Sequence, residues 1–113
     1  MKYLATLEEA QKALRNNPSV PFAELIRHGS LTVEWYAPQH EDGQQPHKQD
    51  ELYIIASGHG TFLRDGEPMV FQKGDVIFVP AGMKHRFVDF SHDFATWVIF
   101  YGPEGGEGAS KQG

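Results

Sequence analysis

The side chains in this sequence best suited to chemistry are two histidines and one glutamate. His47 is followed four residues later by Glu51, and much further along the chain His85 comes just after a Pro-x-Gly turn. Two imidazoles and a carboxylate can bind a divalent metal ion on one side and leave positions open for a substrate or for dioxygen. Iron, manganese, nickel, copper and zinc all accept these donors, so the sequence predicts a metal site without specifying the metal.

Residue alternation along two predicted strands places aromatic side chains beside this cluster. Glu51 and Tyr53 fall on one face of their strand, because side chains alternate between the two faces. His85 and Phe87 share a face of another strand in the same way. If both faces point into a small barrel, the three ligands converge at its mouth and the aromatic rings lie beneath them.

Three further side chains have two interpretations each. Asp89, on the His85 face, either accepts a hydrogen bond from the free N–H of a ligand histidine or caps a turn. Tyr53 and Trp97 are first of all core residues, and either can also line a pocket. Position in the sequence does not decide between these roles.

Turn residues divide the middle of the chain into about eight short strands. Asp65-Gly66 is a two-residue hairpin turn, and Lys73-Gly74-Asp75 and Pro80-Ala81-Gly82 mark two more chain reversals. Many short, evenly spaced strands predict an all-β sandwich or barrel. Between two of them, Pro38–Asp50 has no apolar periodicity, which is typical of a functional or disordered loop.

The N-terminal segment carries the signals of a single short helix. Thr6 and Glu9 form a capping box, and apolar residues at helical spacing follow as far as Leu14. Pro18 disfavours helical geometry at the residue before it and so ends the helix. We therefore divide the chain into a helix with its lead-in (1–20), a β-barrel (21–102) and a flexible, glycine-rich tail (103–113).

Composition excludes several classes of function. The chain has 113 residues, no cysteine and a formal net charge of −5. Thiolate zinc sites, disulfides and cysteine nucleophiles are therefore excluded, and an acidic chain does not favour nucleic-acid binding. The apolar runs are far too short to span a membrane, and the first residues do not form a secretory signal. We expect a cytoplasmic protein that binds neither nucleic acid nor membrane.

One stretch of the sequence resembles the second motif of the cupin superfamily, G-x5-P-x-G-x2-H-x3-N. The matching positions are Gly74, Pro80, Gly82 and His85, and Asp89 replaces the final asparagine. Cupins are small jelly-roll barrels, also called double-stranded β-helices. The resemblance thus implies an all-β jelly-roll barrel preceded by the short N-terminal helix.

An earlier stretch resembles the first cupin motif, G-x5-H-x-H-x3,4-E-x6-G. It matches at His47, Glu51 and Gly58, but Gln39 replaces the leading glycine and Gln45 replaces the first histidine. The two motifs and the strands between them cover residues 45–89. Outside that stretch, the flanking strands are compatible with the family without being specific to it.

Carried over position by position, the resemblance implies His47, Glu51 and His85 as ligands of a divalent metal ion. Gln45 then becomes a weak fourth ligand, or it hydrogen-bonds a metal-bound water. His40, earlier in the same loop, is a rival for that place.

The resemblance also suggests two functions. The first is a metal-dependent enzyme of dioxygenase or isomerase type that acts on a small molecule. The alternative is a non-catalytic cupin that binds or senses a sugar or another metabolite, because a fold does not determine a function.

The outer face of one strand predicts a further layer of structure. Leu52, Ile54 and Ala56 alternate with the inward set, so this strand is apolar on both faces. An overhang of the other sheet, the N-terminal helix or a partner subunit must cover the outer face. Since cupins often dimerise by sheet contact, we expect a homodimer.

Overall fold

The computed structural model describes residues 2–108 and contains two antiparallel sheets and one helix. The elements are α1 (Leu7–Asn16), β1 (Phe22–His28), β2 (Leu31–Tyr36), β3 (Asp50–Ser57), β4 (His59–Arg64), β5 (Glu67–Gln72), β6 (Val76–Val79), β7 (His85–Val88) and β8 (Ala95–Tyr101). The larger sheet has the order β1-β2-β8-β3-β6, and the smaller one has the order β5-β4-β7. The predicted all-β jelly-roll architecture with a short N-terminal helix is confirmed. Within residues 2–108 no helix is long and apolar enough to cross a membrane.

Helix α1 begins at the predicted capping box. The Thr6 hydroxyl accepts a hydrogen bond from the Glu9 amide at 3.1 Å, and the Glu9 carboxylate accepts one from the Thr6 amide at 3.2 Å. These bonds satisfy two of the amides that a helix N-terminus leaves free. The helix then packs against the outer face of the larger sheet.

The contact between helix and sheet forms a second, smaller core. Ala10 is fully buried beside Trp35, and Trp35 meets the edge of Trp97 with their ring centroids 4.8 Å apart. Leu14, Leu25, Ala37, Ala56 and Ala95 complete the cluster. The helix, one of the three predicted possibilities, therefore covers part of the outer face of the larger sheet.

The main core lies between the two sheets and is dominated by aromatic rings. Phe87 is central, with ring centroids 4.8 Å from Tyr53 and 4.7 Å from Phe94. Phe62 and Phe71 pack around the same ring. On β3, Glu51, Tyr53 and Ile55 are buried in alternation, as the sequence predicts.

Two turns show why particular residues are needed. Asp65 and Gly66 both have positive φ angles, 50° and 87°, as the tight turn between β4 and β5 requires. A Cβ atom at Gly58 would lie 2.6 Å from the Phe94 Cα, so only glycine fits this crossing of the chain.

The segment after β8 folds back onto the barrel as far as the structure describes it. The amide of Gly105 donates to the Lys48 carbonyl at 2.8 Å, and the Glu107 amide donates to Asp50 at 2.8 Å. The Gly102 amide also donates to the Ser30 hydroxyl, at 3.1 Å. Residues 109–113 of the predicted flexible tail lie outside the described residues.

Candidate metal centre

Three side chains from different parts of the chain meet inside the barrel. His47 lies in the loop between β2 and β3, Glu51 is the second residue of β3, and His85 is the first residue of β7. One potential ligand atom from each lies within 4.8 Å of the other two. Because β3 and β7 belong to different sheets, the barrel must close before the three can meet.

Backbone contact determines the orientation of His85. Its Nδ1 lies 2.9 Å from the Met83 carbonyl oxygen, which can only accept, so Nδ1 carries the proton. In the neutral ring, Nε2 then has a lone pair, and it lies 3.1 Å from Glu51 Oε1. Two electron-rich atoms therefore face each other in the barrel.

This arrangement leaves buried polar atoms unsatisfied. Glu51 is 1% exposed and His85 is 4% exposed. Despite the 3.1 Å approach, their alignment is not that of a hydrogen bond, and both Glu51 oxygens and His85 Nε2 lack such a partner among residues 2–108. Buried polar atoms without partners are rare because they destabilise the fold. A cation bound to the Glu51 carboxylate and to His85 Nε2 would remove the cost of burying these atoms without partners.

The distance between His85 and Glu51 suits a divalent metal ion. With metal–ligand bonds of about 2.1 Å, two adjacent ligand atoms of one ion lie about 3 Å apart. The Nε2–Oε1 separation of 3.1 Å matches that value. Two imidazole nitrogens and one carboxylate are also a donor set that transition metals accept, so the residues fit the metal site that the sequence predicts.

The two histidines differ in their electrostatic surroundings. Burial lowers the pKa of His47, outweighing the attraction of Glu51, so its ring is readily neutral and available as a ligand. Burial also acts to lower the pKa of His85, but the Glu51 carboxylate and the Met83 carbonyl raise it above its ordinary value. Glu51 therefore draws positive charge, a proton or a metal ion, to the space in front of His85.

Gln44 connects His47 to the strand beneath it. The Gln44 Oε1 atom lies 3.2 Å from His47 Nε2 and accepts a hydrogen bond from the Tyr53 hydroxyl at 3.1 Å. Since this oxygen can only accept, Nε2 of His47 is the donor and Nδ1 remains free to bind a metal. Burial raises the pKa of Tyr53 well above its ordinary value, which keeps the hydroxyl a donor.

Asp42 holds the same loop in place. Its carboxylate accepts hydrogen bonds from the Tyr36 hydroxyl at 2.6 Å and from the Phe87 amide at 2.8 Å. It also accepts bonds from the backbone and side-chain amides of Gln44, at 3.1 and 3.0 Å. Asp42 thus joins the loop to β2 and β7 and orients the amide that contacts His47.

Sequence reasoning singled out neither Asp42 nor Gln44. The sequence suggested Gln45 as a weak fourth ligand or as a partner of a metal-bound water, and its side chain is exposed at the rim of a cavity that His85 also lines. The neighbouring amide, Gln44, is the one that contacts His47. No local pattern distinguishes these two glutamines, because the loop backbone decides which of them turns inward.

Two other candidates from the sequence, His40 and Asp89, lie away from the cluster. His40 is exposed, lies outside the three-residue cluster and lines a separate depression beside Leu14 and Pro18. Asp89 is exposed in a turn with a φ of 51°, and the Met83 carbonyl occupies the free N–H of His85. Asp89 thus lies at a bend of the chain, and the His85 N–H that it was expected to meet is bound by Met83 instead.

The aromatic candidates separate into two groups. Tyr53 and Phe87 are buried inside the barrel, and the Tyr53 hydroxyl donates to Gln44. Trp97 is on the opposite face of β8 from Val98 and Phe100 and packs under α1. Strand alternation directs it outward, where it has the core role beside Trp35.

Cavities open on two sides of the cluster. One of about 750 Å³ is lined by the loop from Glu41 to Pro46 and by Lys84, His85 and Arg86. Another, of about 350 Å³, is lined by His47 with Tyr36, Gln44 and other residues of the barrel wall. Both cavities border the cluster, while the side chains of His85 and Glu51 themselves are buried.

Comparison with known proteins identifies the family. Residues 32–101 match the family described as Cupin domain, which covers more than half of the chain. The chain belongs to the cupin family, and the sequence resemblance is confirmed. A solved cupin 2 conserved barrel domain protein from Salinispora arenicola has the same fold, with a TM-score of 0.67 at 21% identity, covering 90% of each chain.

Two sequence relatives are informative in different ways. The chain is 34% identical over 98 residues to the uncharacterized protein SCO3923 of Streptomyces coelicolor, covering 85% of this chain and 90% of the relative. It is also 40% identical over 78 residues to acireductone dioxygenase of Leishmania infantum. That second match covers 64% of this chain and only 22% of the relative.

Proposed function

We propose that this cupin is a metal-dependent enzyme that acts on a small carbonyl or enol compound, of dioxygenase or isomerase type. The observation that carries the proposal is the pair of facing buried atoms, His85 Nε2 and Glu51 Oε1, beside His47 and next to open cavities. Similarity to part of an acireductone dioxygenase supports the same class of chemistry.

His47, Glu51 and His85 would hold the ion, and three protein ligands leave positions open for a small molecule. When bound, a divalent ion polarises a carbonyl or enol oxygen, and a redox-active ion also exchanges electrons with dioxygen. The chain's own contribution is to orient the ligands. Met83 fixes the tautomer of His85, and Gln44 fixes that of His47.

Elemental analysis of the purified protein tests the site. We expect near-stoichiometric metal in the wild type and loss of that metal in His85→Ala, because the variant lacks one of three ligands. His92→Ala is the matched control, since His92 is exposed and outside the cluster. Circular dichroism on all three proteins checks that each is folded. A folded wild type that holds no metal after reconstitution would contradict the proposal.

A turnover assay distinguishes a metal-dependent enzyme from a ligand-binding protein. Diketones, enediols and sugars are incubated with the metal-loaded wild type and with His85→Ala, and products are followed by NMR. We expect conversion that requires the metal and is lost in the variant. If these compounds raise the melting temperature of the wild type but none is converted, the protein is a ligand-binding cupin instead.

A further inference from the structure

Glu34 is a carboxyl group inside the barrel wall that the proposed ligand set does not use. It is on β2 between Thr32 and Tyr36, two buried residues of the same strand face. Its backbone partners are Glu24 on β1 and Val98 on β8, and Val98 belongs to the main core. Strand alternation therefore directs Glu34 to the side of the sheet that holds Glu51.

Glu34 and His47 face the same space. Two cavities, of about 350 and 290 Å³, are each lined by Glu34, His47 and Phe100. The first also has an apolar wall formed by Phe22, Tyr36 and Val98, with Gln44 beside it. A small molecule that contacts His47 from this side would lie within reach of the Glu34 carboxyl group.

The Glu34 carboxyl group has no partner of its own. It makes no hydrogen bond or ion pair within residues 2–108, although it is half-buried. Arg27, whose charge acts on Glu34, is itself bound by Glu24 at 2.6 Å. Polar groups withdrawn from water normally find a partner, so an unengaged carboxyl at a cavity wall is typical of a group that meets a ligand.

The surroundings of Glu34 raise the pKa of its carboxyl group. Glu24 and Arg27 face it from β1, Glu51 faces it from β3, and His47 lies across the shared cavities. Burial raises the pKa of Glu34, and the negative charges of Glu24 and Glu51 raise it further. A carboxyl group of this kind binds a proton more readily than an exposed one, which favours acid–base work.

We propose that Glu34 is the acid–base residue of this site and that its substrate is an enolisable carbonyl compound whose apolar part occupies the cavity walled by Phe22, Tyr36 and Val98. The inference rests on the proposed function and specifies its substrate class. It assigns to Glu34 a direct contact with the substrate, whereas His47, Glu51 and His85 bind the metal.

The proton transfer is balanced within the substrate and Glu34. The carboxylate takes a proton from the carbon next to the carbonyl group. The C–H electron pair becomes the new carbon–carbon π bond, and the carbonyl π pair moves to the carbonyl oxygen. Once the Glu34 proton has exchanged with solvent D₂O, its return as a deuteron to the same carbon gives hydrogen exchange. In an α-hydroxy carbonyl compound, delivery to the former carbonyl carbon gives the isomer, provided that the α-hydroxyl proton moves to the former carbonyl oxygen.

Proton exchange measures this step without requiring knowledge of the natural product. Metal-loaded protein is mixed with 2-hydroxyacetophenone in D₂O, and proton NMR follows loss of the hydrogens next to the carbonyl. We expect exchange by the wild type, and a rate lower by about 100-fold or more in Glu34→Gln. Metal content and the KM for the probe should change by less than about twofold. Glu67→Gln, at an exposed carboxyl on β5, is the matched control.

A binding measurement supplies a second readout. Acetylacetone bound as its enolate must give up a proton, which the wild type stores on Glu34. Calorimetry in two buffers of different ionisation enthalpy should show release of about one more proton per bound probe in Glu34→Gln than in the wild type. Equal proton release by the two proteins would refute the assignment.

The outcomes distinguish this inference from the proposed function. If the wild type and Glu34→Gln bind metal equally and exchange the hydrogens of the probe at equal rates, Glu34 is not the acid–base residue. The proposed function as a metal-dependent enzyme is then unaffected. If the wild type binds no metal and exchanges no probe, the proposed function fails and this inference fails with it. A selective loss of exchange in Glu34→Gln supports both.

Discussion

At the scale of single residues, the fold sets which nitrogen of each histidine is available. Met83 accepts the Nδ1 proton of His85, and Gln44 accepts the Nε2 proton of His47. The two rings therefore present different nitrogens to the same space. Groups that orient metal-binding histidines in this way commonly change metal affinity when they are removed.

Separate alanine substitutions of the two neighbouring glutamines test this orientation. Gln44→Ala removes the acceptor of the His47 proton, so we expect metal affinity to fall about 10- to 100-fold. Gln45→Ala removes an exposed side chain and should have a much smaller effect. Competition with a chromogenic chelator gives both affinities. An equal or larger loss in Gln45→Ala would show that Gln45 reaches the metal.

The candidate ligands could be predicted from the sequence because they stand at a recognisable spacing. His47, Glu51 and His85 stand at motif positions next to strand starts and turns. Asp42 and Gln44 stand at no such positions. Their roles depend on where a long loop without periodicity crosses the barrel, which only tertiary contacts decide.

At the scale of elements, a buried carboxylate anchors the first part of the loop between β2 and β3. Asp42 ties it to the Tyr36 hydroxyl on β2 and to the Phe87 amide on β7. Burial and the Asp42 carboxylate raise the pKa of Tyr36, so the phenol remains a donor. The loop thus gains order from hydrogen bonds rather than from an apolar core.

Removing that carboxylate should destabilise the protein. Asp42→Ala leaves buried donors on Tyr36 and Phe87 unpaired, and we expect the free energy of unfolding to fall by about 3 kcal/mol. Urea denaturation measures the change. Glu41→Ala is the control, because Glu41 is the neighbouring residue and is exposed. A loss of less than about 1 kcal/mol would show that Asp42 does not anchor the loop.

Short sequence patterns predict the helix start and the turns, but not the order of the strands in the larger sheet. The capping box at Thr6 and the turn at Asp65-Gly66 act over a few residues, so they are readable from the sequence. The insertion of β8 between β2 and β3 joins segments that are far apart in the chain. Such pairing depends on the closure of the whole barrel, which short patterns do not encode.

At the scale of the whole molecule, the larger sheet has an apolar outer surface that α1 covers only in part. One row crosses all five strands through register pairs, and its members are Ile26, Val33, Ile99, Leu52 and Phe78. Phe78 is 49% exposed and the neighbouring Val76 is 62% exposed. Exposed apolar surface of this kind is typical of protein contacts.

We expect a second copy of the chain to cover this surface, which makes the protein a homodimer. Light scattering should give twice the chain mass for the wild type and the chain mass for Phe78→Glu, because a charge in the contact opposes burial. Val70→Glu, at an exposed position on the other sheet, should remain dimeric. A wild-type mass equal to one chain at every concentration would contradict the expectation.

The central place of β8 has a consequence for synthesis in the cell. β8 follows every other strand in the chain, yet it is the middle strand of the larger sheet and links the β1-β2 hairpin to the β3-β6 pair. Its Phe100 pairs with Glu51, and the Phe100 ring lies 4.7 Å from that of His47. While the ribosome still holds β8, these two halves remain unjoined, so a nascent chain has all three candidate ligands but not yet the closed barrel around them.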